Sequence, residues 1–295
     1  MREDSPISHP ISYLDVFAER PLAGNGLAVV DRADGVSDEV MLAFARETRL
    51  SETTFLQSAT VAEADYRNRI WTPGEELRFA GHPSLGSAVA LARWRGEAEA
   101  GYVQETGAGL QPIEVRREAG DDGERWHASM LQAEAAFGAE LDPAEALAVV
   151  GLDPADADPA LPPQIVSTGI AHALVPVASE SALGRARPDY VAIDAFLRPH
   201  DAVVLYLVRC EPGEGRARAR GFARILALGE DPATGSAVGP LCAYLAGRAG
   251  TERIEVRQGE EIGRPSLLQA EMDGGGVRVS GYVVPLIAGE VELPA

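Results

Sequence analysis

Apolar and polar residues alternate along most of this chain in short runs, and few stretches carry the wider spacing of a helix. Residues 11–17 and 27–30 read as strands on either side of the turn-rich Ala23-Gly24-Asn25-Gly26. Residues 38–49 read as a helix that Ser37 could cap, with acidic residues in its first turn and Met41, Leu42 and Ala45 on one face. Strand patterns follow at 53–57, 66–71, 103–105, 113–117 and 126–130, the last two joined by Gly120-Asp121-Asp122-Gly123. A helix is expected over 143–150, then a surface connection rich in Asp, Ala and Pro over 153–163. Further strands are expected at 164–166, 173–177, 202–208, 219–226, 254–257, 267–272 and 277–282, with a last segment near Val291.

Two stretches break this rhythm. Residues 84–95 and 236–249 are small and apolar on nearly every side, which suits a helix enclosed by other elements rather than one lying on a surface. Each is entered through the same short phrase. The first copy is His82-Pro83-Ser84-Leu85-Gly86-Ser87-Ala88-Val89, and the second is Asp231-Pro232-Ala233-Thr234-Gly235-Ser236-Ala237-Val238. Pro is tolerated near a helix start because its missing N–H has no partner there. Free N–H groups and the positive end of the helix dipole then suit a carboxylate ligand. Two such ends meeting across a cleft would hold an anion, with acid and base groups on the walls.

The pattern predicts an α+β chain of two similar halves, each a curled sheet around a central helix. One half is expected over 1–120 with its helix at 84–95, completed by a strand from 281–295. The other is expected over 121–280 with its helix at 236–249. At 295 residues the chain is long enough for two cores.

Composition narrows the chemistry. The formal charge of −19 repels nucleic acid and anionic membrane. The run Arg216-Ala217-Arg218-Ala219-Arg220 is the exception, expected as a solvated strand. The chain has no lysine, which removes Schiff-base chemistry and the phosphate-binding lysine of a P-loop. Cys210 and Cys242 form neither a zinc pattern nor a C-x-x-C pair and are expected as buried thiols. His9, His82, His127, His172 and His200 are scattered, so no cofactor or metal is expected. No apolar run is long enough to span a bilayer, and the polar start of the chain lacks a secretory pattern, so a cytoplasmic enzyme is expected.

The motifs Asp15-Val16-Phe17, Arg20-Pro21-Leu22-Ala23-Gly24-Asn25, Leu50-Ser51-Glu52-Thr53-Thr54-Phe55, Phe79-Ala80-Gly81-His82-Pro83-Ser84, Glu230-Asp231-Pro232-Ala233-Thr234-Gly235-Ser236 and Gln258-Gly259 before Gly263-Arg264 fall in order across the chain. They resemble the phenazine-biosynthesis PhzF-like family, which has the diaminopimelate epimerase-type fold; the resemblance implies two pseudo-symmetric halves, each a curled sheet or barrel around a central helix, with the active site in the cleft between them. One departure is Gly26, where that family typically has Pro. The resemblance implies a cofactor-independent isomerase, usually a homodimer, that moves a proton on a small cyclic or unsaturated carboxylic acid. It implies Glu52 as the acid/base, assisted by His82 and Asp231, with Gly81, Ser84, Gly235 and Ser236 binding substrate. A carboxylate in that role has to be partly desolvated, and the apolar flanks Leu50 and Phe55 allow it. No role follows from the sequence for Gln258, Gly259 and Arg264.

Relatives of this fold that racemise amino acids place one cysteine at each helix start, and neither phrase here contains Cys, so two-thiol chemistry is not expected. A hydrolase using Ser, His and Asp lacks the G-x-S-x-G frame. A non-catalytic family member that binds small acids is the other alternative, separated from an isomerase by whether function survives loss of Glu52.

Overall fold

Helix and strand boundaries follow the capping and alternation of the sequence in most places. The computed structural model describes residues 6–120, 123–223 and 229–294. Contacts divide the chain into Met1–Met130 with Gly281–Ala295, and Leu131–Ser280.

In the first unit, β1 (Ile7–Val16) pairs antiparallel with β2 (Asn25–Val30), Leu14 opposite Leu27. All six β2 residues are buried, as in a strand covered on both faces. Helix α1 (Asp38–Thr48) covers the outer face, with the Ser37 hydroxyl accepting from the Val40 amide and Met41 and Ala45 in a cluster with Phe55 and Trp71. The chain continues through β3 (Glu52–Gln57), β4 (Tyr66–Trp71), β5 (Glu76–Leu77), α2 (Gly81–Arg95), β6 (Glu99–Thr106), β7 (Gly109–Gly120) and β8 (Gly123–Gln132). Strand β3 lies parallel to β2 and antiparallel to β4, β4 is parallel to β6, and β6–β7 and β7–β8 are antiparallel.

The second unit runs through β9 (Ala136–Glu140), α3 (Pro143–Ala148), β10 (Gln164–Ser167), β11 (Ala171–Pro176), α4 (Glu180–Arg185), α5 (Tyr190–Leu197), β12 (Ala202–Glu211), β13 (Arg216–Phe222), β14 (Glu230–Asp231), α6 (Gly235–Ala249), β15 (Arg253–Gln258) and β16 (Ser266–Asp273). From β10 to β16 its pairings alternate antiparallel and parallel in the same order as those from β1 to β7. Helix α6 packs on β10, β11, β15 and β16, while α3, α4 and α5 cover the outer core around Ala173, Val175, Leu205 and Leu207.

The last strand, β17 (Gly276–Leu293), pairs with both β1 and β8. The circuit β1-β2-β3-β4-β6-β7-β8-β17 therefore closes into an eight-stranded barrel. Helix α2 touches six of these strands, and twelve of its fifteen residues are buried. A close approach makes this possible: a Cβ on Gly86 would stand 2.5 Å from Leu27 Cδ2 and 2.9 Å from Val16 Cγ2.

Several expectations need correction. Residues 277–282 and the segment near Val291 are one 18-residue strand, because a bulge at Leu286, opposite the Tyr13–Leu14 step of β1, lets the strand continue past Pro285. Strand β9 and helices α4 and α5 were not expected. At six and eight residues the two helices have too few turns to show a period, and they are held by Ser179 and Asp189 caps and by core packing. Arg220 is not on a solvated face. It is buried, donates twice to the Glu230 carboxylate at 2.8 and 2.7 Å, and also donates to the carbonyls of Leu183 and Ala186. Arg218, by contrast, is half-buried and paired with Glu180, Glu260 and Glu261. The end of the expected strand 219–226 (residues 224–226), Asp121 and Asp122 of the expected turn, and residues 1–5 lie outside the described residues.

Candidate active site

Glu52 opens β3, two residues after the chain leaves the left-handed Arg49 cap of α1. Strand alternation puts Glu52, Thr54 and Leu56 on the face toward α2, and Thr53 and Phe55 on the face toward α1. Accordingly Thr54 Oγ1 meets Ser87 Oγ at 3.0 Å, and Glu52 Oε2 lies 3.5 Å from His82 Nε2. Both site residues are buried, Glu52 at 7% and His82 at 5% exposure. Desolvation pushes the His82 pKa down to about 3, so its imidazole is neutral at working pH. The other ring nitrogen, Nδ1, is 3.4 Å from Asn25 Nδ2, and Asn25 Oδ1 accepts a hydrogen bond from Ser51 Oγ at 3.0 Å.

Of the other two residues expected here, Gly81 is the first residue of α2, beside His82. Ser84 is fully buried. Its hydroxyl donates to Ala80 O at 2.7 Å and accepts from Gln104 Nε2 at 2.7 Å, and Gln104 in turn accepts from Asn68. Ser84 thus ties the first turn of α2 to β6 and β4.

In the second unit Asp231 sits in β14, and Gly235 is the first residue of α6. Asp231 is not a helix-start residue, which corrects the expectation drawn from the repeated phrase. Its Oδ1 accepts from the Ala233 amide at 3.3 Å and its Oδ2 from Thr234 Oγ1 at 2.9 Å, so 231–234 is a turn leading into the helix. Both central helices are fifteen residues long and end in left-handed glycines, Gly96 and Gly250. Their starts therefore pair Gly81 with Gly235 and His82 with Ser236, five residues out of step with the phrase.

Gln258 holds this turn from β15. Its Nε2 donates to Asp231 O at 2.7 Å and Thr234 Oγ1 at 2.9 Å, while its Oε1 accepts from the Thr234 amide and from Tyr206 Oη. Gly259, at φ +79°, passes so close that a Cβ would lie 2.3 Å from Arg264 O and 2.7 Å from Pro232 O. Those contacts supply the roles that the sequence left open for Gln258, Gly259 and Arg264. Gln132 adds a second brace, donating to Gly235 O at 3.1 Å while accepting from Thr168 Oγ1.

The helix starts themselves are distinctive. Side chains cap α1, α3, α4 and α5, whereas neither α2 nor α6 has a side-chain cap or an acidic residue in its first turn. Backbone donors at such ends suit an anionic group. Among the described residues no three His, Cys, Asp or Glu side chains gather where they could hold a metal ion, and no helix is long and apolar enough to cross a membrane.

Comparison with known proteins places the chain in a family. The family model described as "PhzC-PhzF: Phenazine biosynthesis-like protein" matches residues 14–289. The chain belongs to this family. It is 38% identical over 280 residues to the trans-2,3-dihydro-3-hydroxyanthranilate isomerase of Pseudomonas aeruginosa, covering 94% of this chain and 95% of that protein. A solved structure described as a predicted epimerase from Pseudomonas aeruginosa superposes with a TM-score of 0.83 at 38% identity, covering 96% of this chain and 99% of the other. A probable proline racemase from Agrobacterium radiobacter K84 shares the fold at 12% identity, with a TM-score of 0.65 over 96% and 92% of the two chains. This PhzF-type chain is an isomerase.

Its two cysteines lie away from the helix starts. Cys242 is the eighth residue of α6 and Cys210 lies in β12; both are buried, and desolvation pushes both thiols up to about 12. Such thiols are protonated and unreactive at neutral pH. A serine hydrolase arrangement is not built around His82 either, since its two ring nitrogens face Asn25 and Glu52. Sequence reasoning gave no role to Asn25, Ser51, Gln132 and Thr168. Asn25 and Ser51 lay inside quoted motifs, but nothing local in the sequence signalled their contacts.

Proposed function

We propose that this chain is a cofactor-independent isomerase that moves a proton on a small cyclic or unsaturated carboxylic acid, with Glu52 as acid and base. The observation that carries this reading is a buried glutamate 3.5 Å from a histidine that burial keeps neutral. A neutral imidazole offers Glu52 a hydrogen bond without the fixed positive charge that would hold a carboxylate permanently ionised. Glu52 takes a proton from one carbon of the substrate and returns it to another. His82 orients it. In the second unit Asp231 and the uncapped backbone at Gly235 and Ser236 are proposed as substrate contacts, and in the first unit the uncapped backbone at Gly81 suits the substrate carboxylate. The braced hydroxyl of Ser84 keeps the first turn of α2 in place for that contact. Trans-2,3-dihydro-3-hydroxyanthranilate, named for the Pseudomonas relative, is the first substrate to test. The active species is proposed as a homodimer, which sedimentation would show.

Glu52→Gln keeps the shape and removes the base, so turnover should fall about 100-fold or more while ligand still binds. In heavy water the receiving carbon should gain less than one full deuterium, because a buried carboxyl exchanges slowly with solvent. Near-normal turnover of a well-folded Glu52→Gln enzyme removes Glu52 from the mechanism. Failure of the wild-type protein to isomerise or label this acid and a panel of related small acids removes the isomerisation chemistry assigned to the site.

A further inference from the structure

A neutral imidazole has one N–H donor and one acceptor nitrogen, and its neighbours decide which is which. His82 has two polar neighbours with opposite demands. Asn25 Nδ2 is a donor 3.4 Å from Nδ1, and the Glu52 carboxylate is an acceptor 3.5 Å from Nε2. Only the tautomer with its proton on Nε2 meets both demands, with the carboxylate standing at ion-pair range rather than in a formed hydrogen bond. The Asn25 amide could in principle turn over and present its oxygen to the ring. That orientation would place the ring proton on Nδ1 and aim the Nε2 lone pair at the Glu52 carboxylate. The Glu52 carboxylate opposes it, because an ionised carboxylate only accepts, while the Ser51 hydroxyl, 3.0 Å from Asn25 Oδ1, holds the far end of the amide.

These residues come from three separate elements. Asn25 is the first residue of β2, Ser51 directly precedes β3, and His82 is the second residue of α2. Asn25 is 3% exposed, so water competes little for its amide.

We propose that Asn25 is a positioning residue that selects the Nε2–H tautomer of His82, with Ser51 holding the far end of the Asn25 amide, so that Glu52 always faces a donor. The catalytic consequence rests on the assignment of Glu52 as the acid/base, whereas the tautomer itself does not. Asn25→Asp is the sharpest perturbation. It is nearly isosteric, and it replaces the donor beside Nδ1 with an acceptor. The ring then holds its proton on Nδ1, or takes a second proton and becomes a cation paired with two carboxylates. Either state changes what Glu52 faces.

The test uses the full-length protein labelled with ¹⁵N in its histidines, without substrate, near neutral pH. Two-bond ¹H–¹⁵N spectra distinguish the two neutral tautomers and the cation, and the His82 signals are assigned by their loss in His82→Gln. Wild-type protein should show Nδ1 as the unprotonated nitrogen. Asn25→Asp should show it protonated. Ser51→Ala, at a partly exposed position where folding has little to lose, should show a mixture of tautomers. In the isomerase assay, kcat of Asn25→Asp should fall at least tenfold with KM changed by no more than about threefold, as expected for a group acting through the acid/base machinery. An Nδ1–H tautomer in the wild type overturns the proposal. So do unchanged His82 signals in both folded variants. A tautomer that shifts while kcat stays level overturns the catalytic half and the role of His82 beside Glu52, but leaves the Asn25 contact standing. Should Asn25→Asp fail to fold, Ser51→Ala decides by its tautomer mixture alone.

Discussion

Gly259 and Gly263 flank the same short 3₁₀ turn, Glu260–Ile262, and both have left-handed backbones, φ +79° and +73°. Their surroundings differ. A Cβ on Gly259 would lie 2.3 Å from Arg264 O and 2.7 Å from Pro232 O, whereas one on Gly263 would meet nothing within 4 Å. Substitution by alanine therefore separates backbone strain from collision. The left-handed conformation costs an L residue about 1–2 kcal/mol. Alanine also restricts the unfolded chain, which returns about 0.4–1 kcal/mol. Gly263→Ala should accordingly lose about 1 kcal/mol. Gly259→Ala carries the same strain plus an overlap with two backbone oxygens, and forced overlaps of this kind add about 1–3 kcal/mol. The Pro232 carbonyl belongs to the turn that carries Asp231, so relief of the clash displaces that turn. Urea unfolding followed by far-ultraviolet circular dichroism measures the stability difference. Circular dichroism is preferred to tryptophan fluorescence because Trp71, Trp94 and Trp126 all lie in the other unit. Turnover of Gly259→Ala should fall at least tenfold and that of Gly263→Ala should stay within about twofold of wild type. Equal losses of stability and equal turnover in the two variants would refute the collision argument and the link from Gly259 to Asp231.

Further expectations concern the buried charges and histidines. Arg220→Met leaves Glu230 buried without its cation and should cost about 3–5 kcal/mol, and Arg220→Met with Glu230→Leu should recover much of it; a double-mutant cycle with no coupling would contradict the pairing. Burial holds His172 at a pKa of about 4, below its free value of about 6.5. The unfolded chain therefore binds a proton between those values that the folded chain does not. The stability contribution is complete above about pH 6.5 and is lost as pH falls toward 4, at about 1.4 kcal/mol per pH unit. His172→Leu should remove about one proton from the uptake on unfolding at pH 5, and an unchanged uptake would show that His172 titrates normally in the folded state.

Local signals in the chain determined the elements that depend on neighbours a few residues away. Ser37 caps its helix, Tyr66–Trp71 alternates as a strand, and the small apolar runs after Gly81 and Gly235 are enclosed helices, because propensity, capping and period are short-range properties. Glu52, His82, Asp231 and Ser236 could be named from the sequence as candidates, although their contacts could not. The repeated phrase suggested that His82 and Asp231 occupy equivalent places, yet helix α6 begins five residues later in its copy of the phrase than α2 does. Residues 231–234 stay outside that helix because the Asp231 side chain and the distant Gln258 satisfy their polar groups in a turn. Arg220 looked solvated because alternation marks a face of a strand but not what covers it, and here α4 and Glu230 do. The Ser51–Asn25–His82–Glu52 chain belongs to the tertiary structure alone. It joins residues up to 57 positions apart, and their meeting depends on strand register and on how closely a glycine-bearing helix enters the barrel, neither of which is encoded within any one segment.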